Sequence, residues 1–166
     1  MKEMILRYAH FDVDRKYRYL LRRSWPTGFF DPSNDDYVMF VGLNPSTADE
    51  NDDDPTIRKS IGFTKRLGYK KMYMCNLFAF RATNPKELLN QDDPIGPENN
   101  QIILSCAHKA KVIIATWGSH KLATLRAMEI VKLLEGHKIY CFGKNKDGQP
   151  KHLLYLHYES QLSELR

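Results

Sequence analysis

The sequence predicts an α/β fold: a central, mainly parallel four-stranded sheet between two layers of helices, preceded by an N-terminal β arm. Three observations predict it. Four short apolar runs alternate with segments of helical periodicity, the arrangement that builds a parallel sheet covered on both faces. Each run stops abruptly in polar or glycine residues, as Leu43 does before Asn44-Pro45-Ser46-Thr47. Period-two patterning with aromatic residues is confined to the first 25 positions.

Taken in order, residues 1–25 form a basic β arm in which Tyr17, Tyr19 and Leu21 alternate with Arg18, Leu20 and Arg22. Pro26-Thr-Gly28 and Asp31-Pro-Ser-Asn34 supply turn chemistry after it. Interleaved Arg and Tyr suit single-stranded nucleic acid, cations on phosphates and rings on bases. The competing assignment is an edge hairpin that covers the sheet with its arginines in solvent. The first core strand runs from Tyr37 to Leu43. Asp54 can cap a helix that starts at Pro55, shows an apolar face through Ile57, Ile61 and Leu67, and closes at Gly68. The second strand spans 71–77, and a short helix lies near 86–90 within a turn-rich stretch. A helix over 98–110 leads to the third strand, 111–117. A helix over about 120–134 leads to the fourth, 138–142, and the tail from Leu153 reads as a short strand and helix.

At 166 residues the chain reads as a single domain, 1–166. The arm and turns take 1–35, the α/β core 36–156 and the C-terminal tail 157–166. Such a length buries roughly 70% of the unfolded surface, so neither disulfide nor structural metal is needed for folding. Cys75, Cys106 and Cys141 are widely spaced and odd in number, which fits reduced thiols in a cytoplasmic protein. No apolar run approaches ~18 residues and the start lacks a signal-peptide core, so no membrane partner is expected. The formal charge is +5; with the five acidic residues of positions 49–54 set aside it becomes +10. A basic body suits nucleic acid or a nucleotide, or simply keeps a surface soluble.

Parallel strands place their carboxyl ends along one edge, where open α/β sheets bind ligands. Asn44, Asn76-Leu-Phe78, Trp117-Gly118 and Gly143-Lys144, followed by Gly148-Gln-Pro-Lys-His152, should therefore meet there. Asn44, with Ser46 and Thr47 beside it, can orient water or close an Asx turn. Asn76 offers the donor–acceptor pair that a nucleobase edge matches, or a helix cap. Phe78 and Phe80 can stack a flat ligand or fill the core. Arg81, after a buried strand, calls for an anionic partner. In the acidic loop Asp49 can orient a hydrolytic water, Asp54 caps a helix, and Asp52 and Asp53 face solvent. A hard cation such as Mg²⁺ is the alternative use of these carboxylates. His152 sits in the one chemically crowded histidine setting. No zinc spacing, P-loop, dinucleotide fingerprint or serine-hydrolase elbow is present.

Taken together, Arg18-Tyr-Leu-Leu-Arg-Arg-Ser-Trp25, Leu43-Asn-Pro-Ser-Thr-Ala-Asp49, Asp54-Pro-Thr-Ile-Arg58, Asn76-Leu-Phe-Ala-Phe-Arg81 and the Gly148…His152…Leu154-Tyr155 tail resemble domain-of-unknown-function family 1643. The family tail reads Gly-x-Pro-x-His-Pro-Leu, and Leu153 stands where its second proline is expected. At greater distance the chain is similar to the uracil-DNA glycosylase superfamily. Val41-Gly-Leu-Asn-Pro45 looks like its water-positioning motif, Asn76 like its base-reading Asn and His152 like the His of its final motif.

That likeness implies a uracil-DNA glycosylase-like fold and cleavage of an N-glycosidic bond in DNA or a nucleotide. Asn44, Asp49 and His152 would be catalytic, and Ser46, Thr47, Asn76, Phe78, Arg81, Trp117 and Lys144 would bind substrate. Arg18, Arg22 and Arg58 would hold phosphates, and no metal or other cofactor would be needed. The alternatives are a metal-dependent nucleotide or phosphodiester hydrolase built on the acidic loop, using Mg²⁺, and a non-catalytic nucleotide or DNA binder.

Overall fold

The computed structural model describes residues 3–28, 31 and 35–165. One seven-stranded mixed sheet organises it. The strands are β1 (Leu6–Phe11), β2 (Arg18–Ser24), β3 (Val38–Gly42), β4 (Lys71–Asn76), β5 (Val112–Ala115), β6 (Ile139–Cys141) and β7 (Ser163–Glu164), in the order β1-β2-β4-β3-β5-β6-β7. The sheet is thus larger than the four strands expected. β3 pairs in parallel with β4 and β5, and β5 with β6. The outer pairs, β1–β2, β2–β4 and β6–β7, are antiparallel. The arm is a hairpin that adds its second strand to β4, so it extends the sheet instead of covering it. The tail holds a 3₁₀ turn, Leu153–Tyr155, and then β7, in place of a strand followed by a helix. Apart from Asp31, the turn expected at 31–34 lies outside the described residues.

Three helices, α1 (Pro55–Arg66), α2 (Asn99–Lys109) and α3 (Ala123–Leu133), cover the two faces. Strand alternation decides which helix meets which residue. Val38 and Phe40 of β3 point to Ile57, Ile61 and Phe63 of α1. Met39 and Val41 join Ile103 of α2 and Ala127 and Ile130 of α3 on the opposite face. All three cysteines are buried free thiols in these clusters or beside them. Among the described residues no helix is long and apolar enough to cross a membrane.

α1 begins as the sequence reading requires. Asp54 Oδ1 accepts the Ile57 N–H at 2.9 Å, and Pro55 occupies the first turn, where its missing N–H goes unnoticed. Gly68, at φ +84°, turns the chain out of the helix. Because β3 is followed by a helix on one face and β4 and β5 by helices on the other, the chain switches faces beside the end of β3. That is where a crevice opens in sheets of this kind.

Candidate functional site

A cavity of about 420 Å³ lies at that switch point. Its walls come from Gly42 at the end of β3 and Leu43 to Ser46 after it, Asn76 at the end of β4, Thr116 after β5, Asp54, Thr56 and Ile57 at the start of α1, Arg18 of β2, and His152 with Leu154 and Tyr155. Asn44, Ser46, Asn76, His152 and Arg18, five residues expected at the site, therefore share one chamber.

Each is held by identifiable contacts. Asn44 Nδ2 donates to the carbonyls of Pro45 (3.0 Å) and Ala82 (2.8 Å). Both amide protons are engaged, which leaves Oδ1 as the acceptor the residue can offer. Asn76 is 4% exposed, and its Nδ2 has no hydrogen-bond partner among the described residues. Its own carbonyl accepts from Asn99 Nδ2 at 3.0 Å. The next carbonyl, of Leu77, takes Asn99 Nδ2 at 3.1 Å and Arg126 Nε at 2.9 Å. The buried Asn99 and Arg126 thus fix the end of β4 from the α2 and α3 side. Neither was foreseen, because a single Asn or Arg on a helix carries no periodic signal.

His152 caps the 3₁₀ turn, its Nδ1 accepting the Leu154 N–H at 3.1 Å. In the neutral imidazole the proton then sits on Nε2, a donor. Leu153 is the first residue of that turn, a position that a proline also fits. Burial lowers the His152 pKa from its ordinary value, while the nearby Asp54 carboxylate opposes the shift. The unfolded chain takes up this proton below about pH 6.5, and the folded chain resists it. Stability present above that value is therefore lost as pH falls through the lowered folded pKa. Thermal melts of wild type and His152→Asn, from about pH 7.5 to 4.5, should show a steeper acid loss in the wild type. Superimposable profiles would refute the assignment.

Arg18 is 2% exposed, and desolvation pulls its pKa down to about 10. Its Nη1 donates to the Ala48 carbonyl at 2.9 Å, and its Nε has no partner among the described residues. It is not a solvent-facing arginine, nor is Arg23, which is fully buried.

The other expected residues lie elsewhere. Thr47 and Arg81 line an adjoining open groove with Arg15, Lys16 and Phe80, which touches the cavity through Ser46, Ala82 and Thr83. Phe78 is buried in the core beneath α2 and α3 and has no face to offer a ligand. Trp117 is also core, its Nε1 donating to Gln149 Oε1 at 2.8 Å beside a separate cavity along α3. Lys144 is exposed and lines neither chamber. The Arg22 guanidinium stacks on Tyr8 at 3.9 Å, on the arm. Arg58 Nη1 donates to the Asp53 carbonyl at 2.6 Å.

The acidic loop is tied to the arm by ion pairs. Asp53 is not a solvent residue: its Oδ1 meets Arg23 Nε at 2.7 Å and its Oδ2 meets Arg7 Nη2 at 2.9 Å. Glu50 makes a two-pronged pair with Arg15. Asp49 lies outside the cavity and accepts the N–H groups of Asn51 (2.7 Å) and Asp52 (2.8 Å), which holds its pKa below the usual carboxylate value. The loop is the counter-charge of the arm. Of its carboxylates only Asp54 reaches the cavity wall. Among the described residues no group of three or more His, Cys, Asp or Glu side chains is arranged to hold a metal ion.

A family model described as "Protein of unknown function (DUF1643)" matches residues 18–154. The chain belongs to the DUF1643 family. The matched segment starts at Arg18 and contains every residue of the cavity wall except Tyr155, while β1 and β7 fall outside it. No curated protein and no solved structure matches the chain. Within DUF1643, then, the chemistry has to be argued from the cavity itself.

Proposed function

We propose that the cavity recognises a nucleobase and that the protein hydrolyses the N-glycosidic bond of a base-bearing ligand, a nucleotide or DNA. The observation that carries this reading is the convergence of three complementary groups from segments far apart in sequence. They are the unpartnered amide of Asn76, the oriented acceptor of Asn44 and the imidazole of His152. A volume of about 420 Å³ suits a base with its sugar. The resemblance of Val41-Gly-Leu-Asn-Pro45, Asn76 and His152 to uracil-DNA glycosylase motifs, read from the sequence, agrees with the same roles.

In this mechanism the Asn76 amide reads the base edge. Asn44 Oδ1 accepts one proton of a water and directs its oxygen at the sugar carbon. The new C–O bond forms as the C–N bond breaks, and the electron pair leaves on the base nitrogen. His152 Nε2–H stabilises that charge by hydrogen bonding, as a neutral imidazole does. The attacking water loses its proton to solvent or to Asp54, the one carboxylate on the wall. Phe78 takes no part in stacking; Tyr155, on the cavity wall and 87% exposed, is the ring available to cover a flat ligand.

The test is release of free base, followed by mass spectrometry, from normal and modified nucleosides, nucleotides and DNAs incubated with the protein in EDTA. Asn44→Ala and His152→Ala should each lower the rate by about 10²-fold or more. Tight binding without base release at any protein concentration would make the chain a binder. Activity that EDTA abolishes would point to metal-dependent hydrolysis.

A further inference from the structure

We propose that the same cavity holds a terminal phosphate of its ligand, between the Arg18 guanidinium and the first turn of α1, which makes the ligand a phosphate-bearing mononucleotide; this rests on the nucleobase reading of the cavity. Two arginines of β2 are buried, and their contrast carries the inference. Arg23 is fully provided for: Asp53 takes Nε, and the carbonyls of Arg22, Asp49 and Asp52 take the rest. Arg18, five residues earlier and as deeply buried, has no carboxylate in ion-pair contact among the described residues. A buried cation with no anion in direct contact is the costlier state, and a ligand anion in the cavity it lines relieves it.

A second, independent feature faces the same chamber. α1 runs for 12 residues, and its first turn lines the cavity. Pro55 has no N–H, and Asp54 takes the N–H of Ile57 at Oδ1 and of Arg58 at its carbonyl. Thr56 is left with a first-turn N–H that has no partner within the helix, and with its hydroxyl. Asp54 is near enough to act favourably on the Arg18 charge and sets one negative charge against a ligand anion, while Arg81 and Arg23 add positive charge around the site.

An internal phosphodiester needs room for chain on both sides. A guanidinium this buried meets only a group that enters end-on, which favours a monoester or diphosphate. The groove of Arg15, Lys16 and Arg81 is the more open, surface-running alternative for a polymer.

Isothermal titration of the full chain separates these cases. A nucleoside 5′-monophosphate should bind about tenfold tighter than its nucleoside, and inorganic pyrophosphate alone should bind and compete. In Arg18→Met that preference should collapse to about twofold or less, and Arg18→Lys should retain part of it. Equal affinity for nucleoside and monophosphate in the wild type, with no binding of pyrophosphate, overturns the subsite and leaves the base-reading role standing. Pyrophosphate binding that depends on Arg18, with no binding of any nucleoside, keeps the subsite and removes the base. An oligonucleotide with hydroxyls at both ends that binds as tightly as the monophosphate, through Arg18, overturns the terminal-phosphate assignment. The wild-type comparisons decide the matter even if Arg18→Met fails to fold.

Discussion

Asp53→Ala is expected to lower folding stability by about 3–5 kcal/mol, the cost of stranding a buried cation. Arg23 has no exposed surface, and Asp53 is the only carboxylate paired with it among the described residues. Deleting the carboxylate leaves the Arg23 guanidinium with backbone carbonyls but no paired anion among the described residues, and it also removes the ion pair of Arg7. The loss should appear in urea melts as a lower midpoint with an unchanged slope. Arg23→Met combined with Asp53→Ala should recover much of it, because two apolar substitutions leave no charge behind. A single-mutant cost under about 1 kcal/mol would mean the pair behaves as an ordinary surface bridge.

Gly42→Ala is expected to remove ligand binding and to cost about 1–3 kcal/mol of stability. A Cβ at Gly42 would lie 2.8 Å from Asn76 Oδ1, closer than such atoms approach. Gly42 and Asn76 are direct partners across β3 and β4, so the two backbones cannot separate without breaking the ladder. Asn99 holds the Asn76 carbonyl, so the displaced part is the amide itself. Adding Asn76→Ala should restore most of the stability without restoring binding, a non-additive pair. Retention of wild-type affinity in Gly42→Ala would remove Asn76 from the ligand site.

Much of this arrangement is legible in the sequence, and the limits have physical causes. Apolar runs ended by polar residues mark strand ends, and parallel ends share an edge, so the sequence alone places Asn44 and Asn76 together. Asp54-Pro55 announces a helix start by local chemistry alone. The sequence leaves Phe78 open between core and stacking ring because strand alternation stops at Asn76; beyond it the chain turns, and parity no longer assigns a face. Asp53 reads as a solvent residue in the sequence because its partners Arg7 and Arg23 lie 46 and 30 positions away, on strands whose pairing the local pattern does not specify. The outer strands were harder still. β7 has two residues and pairs with β6 across the tail, too short for any period to register.

The hairpin partner of β2 has a consequence for any shortened form of the protein. β1 caps the row of N–H and C=O groups along β2, and its Arg7 also reaches across to the 49–54 loop. A chain cut to begin at Arg18, where the family match begins, would expose that row as a sticky selvage that recruits other strands and invites self-association. β1 is therefore the hem of the sheet, standing at its border in place of the longer β2.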